Sequence, residues 1–145
     1  MKALPSICVL DASVIIKVFV NESHSGEIRD LLRQRDADTA SVLLVPDLLF
    51  VECANILWKR VRREGYPADS AKANLAELKS FGLSSTPTSN LIERALEIAC
   101  DCQVTAYDAC YAALAEQTGV PFVTADHRLA AALKGTPLAV LTLGR

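Results

Sequence analysis

Three short, strongly apolar runs set the limits on what this chain can fold into: Ile7–Leu10, Ser41–Val45 and Phe122–Ala125. They are too short for helices and lack the alternation of a half-exposed strand. Each therefore reads as a strand buried on both faces. A weaker run at Leu83–Thr86, bounded by Pro87, and a last one at Leu138–Leu143 bring the sheet to about four to five strands. Segments of helical period fill the gaps. Strands separated by helices imply right-handed crossovers, a mostly parallel sheet and helices on both faces, a three-layer α/β fold. No repeat, low-complexity tract or linker interrupts residues 1–145, so one domain is expected, and a 51% hydrophobic content supplies a sizeable core.

The helices are punctuated by recognisable stops and starts. Ser13 is the expected cap of a first helix near Val14–Val20, and Asn21–Ser23 breaks it. A polar helix near Ser25–Arg35 carries an apolar stripe of Ile28, Leu31 and Leu32. Pro46-Asp47 opens a long helix through Glu64, stopped by Gly65. Pro67 opens another, Ala68–Ser80, ended by Gly82, and the short connection predicts an antiparallel hairpin. Ser89 or Asn90 caps a helix through Cys100, Thr105 caps Ala106–Thr118, and Asp126 begins a short helix through Lys134.

Four carboxylates stand out from this frame. Asp11 closes the first strand and Asp126 the third, where open α/β sheets place ligand chemistry. Asp11 also fits a plain turn, and Asp126 a plain helix cap beside Thr124. Glu52 lies on an otherwise apolar helix, sharing a narrow polar face with Asn55 and Lys59. Such a face suits a polar cleft, or a solvent stripe. Asp108 follows Thr105 at capping-box spacing. Parallel strands put their carboxyl ends, and the helix starts that follow, on one edge. The four acids can therefore meet there. Two carboxylates ~5 Å apart repel by about 3 kcal/mol at an effective dielectric of about 20. Four together force protonation unless a cation joins them, and an all-oxygen set selects Mg²⁺ or Mn²⁺.

Composition excludes several classes. A net charge of -2 gives no global attraction to nucleic acid, so any polyanion site must be local. The apolar runs are far too short to span a bilayer. Pro5 and Asp11 break the stretch after Lys2 too early for an export leader. The five cysteines, Cys8, Cys53, Cys100, Cys102 and Cys110, form no C-x-x-C pair and have neither histidine beside them. They argue against zinc and for small core residues in a reducing, cytoplasmic setting.

The ordered motifs resemble the PIN-domain nucleases, in particular the VapC-type toxins of prokaryotic toxin–antitoxin pairs. The resemblance rests on Leu10-Asp11-Ala12-Ser13-Val14, Glu52-Cys53-Ala54-Asn55-Ile56-Leu57, Tyr107–Ala115, and Phe122–Asp126 with Leu129, and it covers essentially the whole chain. It implies a metal-dependent endoribonuclease with Asp11, Glu52, Asp108 and Asp126 as its acidic set. Ser13, Asn55 and Thr124 would give polar support. Asp11 and Asp126 would be inner Mg²⁺ (or Mn²⁺) ligands, Asp108 direct or through water, and Glu52 the holder of a second ion or of the attacking water. Products with a 5′-phosphate and a 3′-hydroxyl are implied. So are a homodimer and a small antitoxin whose tail, often through an Arg, covers the site. Lys17, Lys59 and Arg128 are the candidate RNA contacts; Arg62 and Arg63 also fit a solvated helix end. The apolar hairpin Phe50–Phe81, with Leu57 and Trp58, is a candidate partner surface, although core packing explains Trp58 as well.

Three readings compete. A catalytically silent PIN domain would only bind RNA or a partner. A phospho-acceptor receiver would need an acidic pair after the first strand and a late Lys; Asp11 is followed by Ala12 and Ser13, and the last strand offers Thr142. A haloacid-dehalogenase-type phosphatase would need a second Asp where Ser13 stands.

Overall fold

A computed structural model describes residues 4–20, 25–37 and 41–143, without the side chains of residues 31 and 33–37. Lys2, the Asn21–Ser23 break and the Leu31 side chain therefore lie outside the described residues. The elements run β1 (Ile7–Leu10), α1 (Ala12–Ile15), α2 (Ser25–Ala37), β2 (Val42–Pro46), α3 (Leu48–Glu64), α4 (Ala68–Lys79), β3 (Ser84–Thr86), α5 (Ile92–Cys102), α6 (Ala106–Thr118), β4 (Phe122–Thr124), α7 (His127–Ala132) and β5 (Val140–Thr142).

The five strands form one sheet in the order β3-β2-β1-β4-β5, and every pair is parallel. Composition follows position. In central β1, Cys8, Val9 and Leu10 are fully buried, as are all three residues of β4. The edge strand β3 is Ser-Ser-Thr and largely exposed, which discourages pairing with another chain. The order excludes a receiver, whose strands run 2-1-3-4-5. From β1 the chain steps to β2 and β3; it then crosses back over the sheet to β4 and β5. With right-handed crossovers this reversal puts α2, α3 and α4 on one face and α5, α6 and α7 on the other. It also opens a crevice between the carboxyl ends of β1 and β4.

Glycines end helices where their backbone freedom is needed. Gly65 and Gly119 cap α3 and α6 in the left-handed conformation, at φ of 69° and 70°. Helix α4 stops at Lys79 with Ser80 as its cap, two residues before Gly82. Neither Ser89 nor Asn90 caps α5. Both belong to a 3₁₀ turn at Thr88–Asn90, and Leu91 takes the cap position without a side-chain bond. Asp47 explains the turn: its Oδ1 accepts from the Thr88 N–H at 2.9 Å and from the Thr88 hydroxyl, tying the start of α3 to the segment after β3. Cys8, Cys53 and Cys110 are core residues, Cys100 is exposed, and all five thiols are free. Among the described residues no helix is long and apolar enough to cross a membrane.

Candidate active site

The reversal between β1 and β4 places Asp11 and Asp126 on either side of the crevice. Asp11, not Ser13, is the N-cap of α1: its Oδ1 accepts from the Val14 N–H at 3.3 Å. The expected helix through Val20 is a four-residue α-turn followed by a 3₁₀ segment, Ile16–Val18. Ser13 serves the carboxylate instead. Its hydroxyl donates to Asp11 Oδ1 and accepts from the Ala125 N–H at 3.0 Å. The fully buried Thr124 donates its hydroxyl to Asp11 Oδ2 and accepts from the Asp126 N–H at 3.0 Å. A chain of side-chain bonds thus spans the two strand ends.

Asp126 also caps α7, with Oδ1 accepting from the N–H groups of Arg128 and Leu129 at 3.0 and 3.1 Å. The capping reading and the crevice reading therefore hold together. At the start of α6 the Thr105 hydroxyl accepts from the Asp108 N–H at 3.1 Å, so Thr105 is the cap residue. Glu52, in the second turn of α3, receives a 2.6 Å hydrogen bond from the Tyr111 hydroxyl. Tyr111 is almost fully buried and its ring stacks on Phe122 of β4, centroids 6.1 Å apart. Sequence reasoning missed this residue. The available signal was its spacing: Tyr111 follows Asp108 by three residues and so shares its helix face.

These side chains line one open cleft of about 750 Å³, a size typical of ligand sites. Its walls carry Asp11, Glu52, Asp108 and Asp126, with Ser13, Asn55, Lys59 and Tyr111 beside them. Val51, Ile56 and Tyr107 add apolar surface. Thr124 lies behind the wall, reaching the cleft only through Asp11. Lys17 and Arg128 are not among the lining residues. Trp58 is half exposed on α3, with the Arg62 guanidinium 5.1 Å above its ring, so core packing does not account for it.

Charge is under tension here. Burial raises the Asp11 carboxyl from 3.8 to about 6, against three hydrogen bonds from Ser13, Thr124 and Val14 that lower it; the charge of Asp108 adds to the rise. Glu52 is raised by burial and by Asp108, with the Tyr111 bond opposing. Asp108 is raised by burial and by Asp126, with Thr105 opposing. The charge of Asp108 thus reaches Asp11 and Glu52, and that of Asp126 reaches Asp108. A cation would relieve that repulsion, and a lining of oxygen ligands without His or Cys suits Mg²⁺ or Mn²⁺. Among the described residues, no three His, Cys, Asp or Glu side chains stand close enough to hold one ion together. Mg²⁺ is commonly held by one or two carboxylates, with water and substrate phosphate completing its shell.

The chain matches the PIN domain family over residues 8–134. It is 36% identical to Ribonuclease VapC3 of Pyrobaculum aerophilum, across 84% of this chain and 91% of that protein. It is 33% identical to Ribonuclease VapC1 of Mycobacterium tuberculosis, across 86% and 90%. Its fold superposes on the crystal structure of PAE2754 from Pyrobaculum aerophilum with a TM-score of 0.68 and 26% identity, covering 97% of this chain and 87% of that one.

Proposed function

This chain belongs to the PIN domain family, and from that premise we propose that it is a metal-dependent endoribonuclease, the toxin of a toxin–antitoxin pair. The observation that carries the reading is the meeting of Asp11, Glu52, Asp108 and Asp126, from four separate segments, on one cleft. Curated relatives bear the name VapC ribonuclease, which supports RNA as the substrate and a small antitoxin as the partner. A catalytically silent domain would have no need to keep four acids, three of them raised by burial and by one another's charge or that of the fourth, on one cleft.

Asp11 and Asp126 would be the carboxylates that hold Mg²⁺ or Mn²⁺, with Asp108 acting through water and Glu52 at a second ion or at the attacking water. When bound, the metal lowers the pKa of water and neutralises charge on the phosphate. The chain's own residues do the rest. Ser13, Thr124 and the Val14 N–H fix both Asp11 oxygens, so the ligand is oriented before substrate arrives. Tyr111 orients Glu52. Burial makes Glu52 a better proton acceptor than a free glutamate, which fits a group that takes the proton of an attacking water. Lys59, on the cleft wall, is the cation available to a phosphate.

The test is cleavage of structured RNA by antitoxin-free protein with Mg²⁺, Mn²⁺ or chelator, beside Asp11→Asn and Asp108→Asn. Metal-dependent cleavage giving 5′-phosphate ends, lost in both variants, is expected. Tight RNA binding without cleavage of any RNA would reduce the chain to a binding module.

A further inference from the structure

The cleft holds apolar surface that the acidic chemistry does not use. Tyr107 is 67% exposed and Val51 73% exposed, large values for side chains that line a cavity. Each immediately precedes one of the acids: Val51 precedes Glu52 on α3, and Tyr107 precedes Asp108 on α6. Ile56, one turn after Glu52, lines the same wall. An aromatic ring and two branched aliphatic side chains, from two helices, thus border the carboxylates. None of this surface is needed to bind a cation or a phosphate.

We propose that this apolar border is a base subsite: Tyr107, with Val51 and Ile56, takes the face of one unpaired nucleobase next to the bond to be cut. The proposal rests on the ribonuclease reading above and deepens it by naming the residues that hold the base. Three features favour a nucleotide as occupant. A nucleotide joins a flat ring to a phosphate, and the cleft joins apolar surface to Lys59 and to acids suited to a bridging cation. Stacking on an aromatic ring accepts any base, so it asks for no further polar partners. A base inside a duplex has both faces covered, so only a loop, a bulge or a single strand can present one. Tyr107 is thus a binding residue that holds the base beside the cut.

The experiment compares wild type, Tyr107→Phe and Tyr107→Ala on single-stranded oligoribonucleotides carrying the mapped cut. A second set of oligonucleotides has one base at a time removed around that cut. Tyr107→Ala should lower kcat/KM roughly 5- to 150-fold, mainly through KM, the range for one stacked base. Tyr107→Phe should stay within about twofold of wild type, because the ring and not the hydroxyl stacks. Removal of one particular base should cost the wild type as much as Tyr107→Ala does, and should cost Tyr107→Ala nothing more. Mn²⁺ affinity should be equal in all three proteins. Tyr107→Ala cutting as well as wild type overturns the proposal and leaves the nuclease reading intact. A wild type that cuts no RNA overturns both.

Discussion

Replacing Asp11 by asparagine should make the metal-free protein more stable at neutral pH. Asp11 is 5% exposed, and its carboxyl is raised from 3.8 to about 6, chiefly by burial. The folded chain thus binds this proton more tightly than the unfolded chain does. Stability is fully present below about pH 4, falls as pH rises towards about 6, and is level above that. Two pKa units correspond to about 3 kcal/mol. Asparagine carries no charge and keeps an oxygen for Ser13 and the Val14 N–H. Its amide instead meets the Thr124 hydroxyl, which must turn to accept, at a cost of about 1 kcal/mol. Asp11→Asn should therefore be about 2 kcal/mol more stable than wild type at pH 7.5 and about 1 kcal/mol less stable at pH 4. Glu52 and Asp108 titrate in both proteins and largely cancel in the difference. Urea unfolding in chelator across pH 4–8 measures it. A difference that does not change with pH, or a less stable variant at pH 7.5, refutes the burial argument.

Tyr111→Phe keeps the ring against Phe122 and removes only the hydroxyl bonded to Glu52. Cleavage should lose about tenfold in kcat with KM unchanged, and the acid limb of its pH–rate profile should move up, because Glu52 loses the bond that opposes its rise. Thr124→Val removes the hydroxyl shared by Asp11 and the Asp126 N–H. It should cost about 2 kcal/mol in urea unfolding at pH 7.5, and less at pH 4, where Asp11 is neutral. Mn²⁺ binding followed by calorimetry should weaken about tenfold from pH 7 to pH 5, as a proton competes for Asp11.

The strands and the acids were legible because each is a local signal: an apolar run, a glycine stop, a carboxylate at a strand end. Polar β3 was legible for the same reason, with Pro87 to bound it. The strand order was not, since nothing within a run states which strand lies beside it. The mistaken cap shows why local reading fails at the site. Asp11 and Ser13 are both good N-cap residues, two positions apart, and local preference does not choose between them. The choice is made from 113 and 112 residues away, by Thr124 holding Asp11 and by the Ala125 N–H taking Ser13. The Tyr111–Glu52 bond spans 59 residues and was invisible for the same reason. Lys17 and Arg128 follow Asp11 and Asp126 by six and two residues, yet the cleft is lined by Lys59, which its helix carries there from two turns beyond Glu52.

The central claim is that acids from four segments build one cation-binding cleft, part of it acting through bound water. The direct measurement is a Mn²⁺ titration of the metal-free protein, read by the loss of the free-ion electron paramagnetic resonance signal, for wild type, Asp11→Asn, Asp108→Asn and Asp126→Asn at pH 7.5. Saturable binding by wild type, weakened about tenfold or more by each single substitution, is the predicted result. Equal affinity in wild type and all three variants would contradict it.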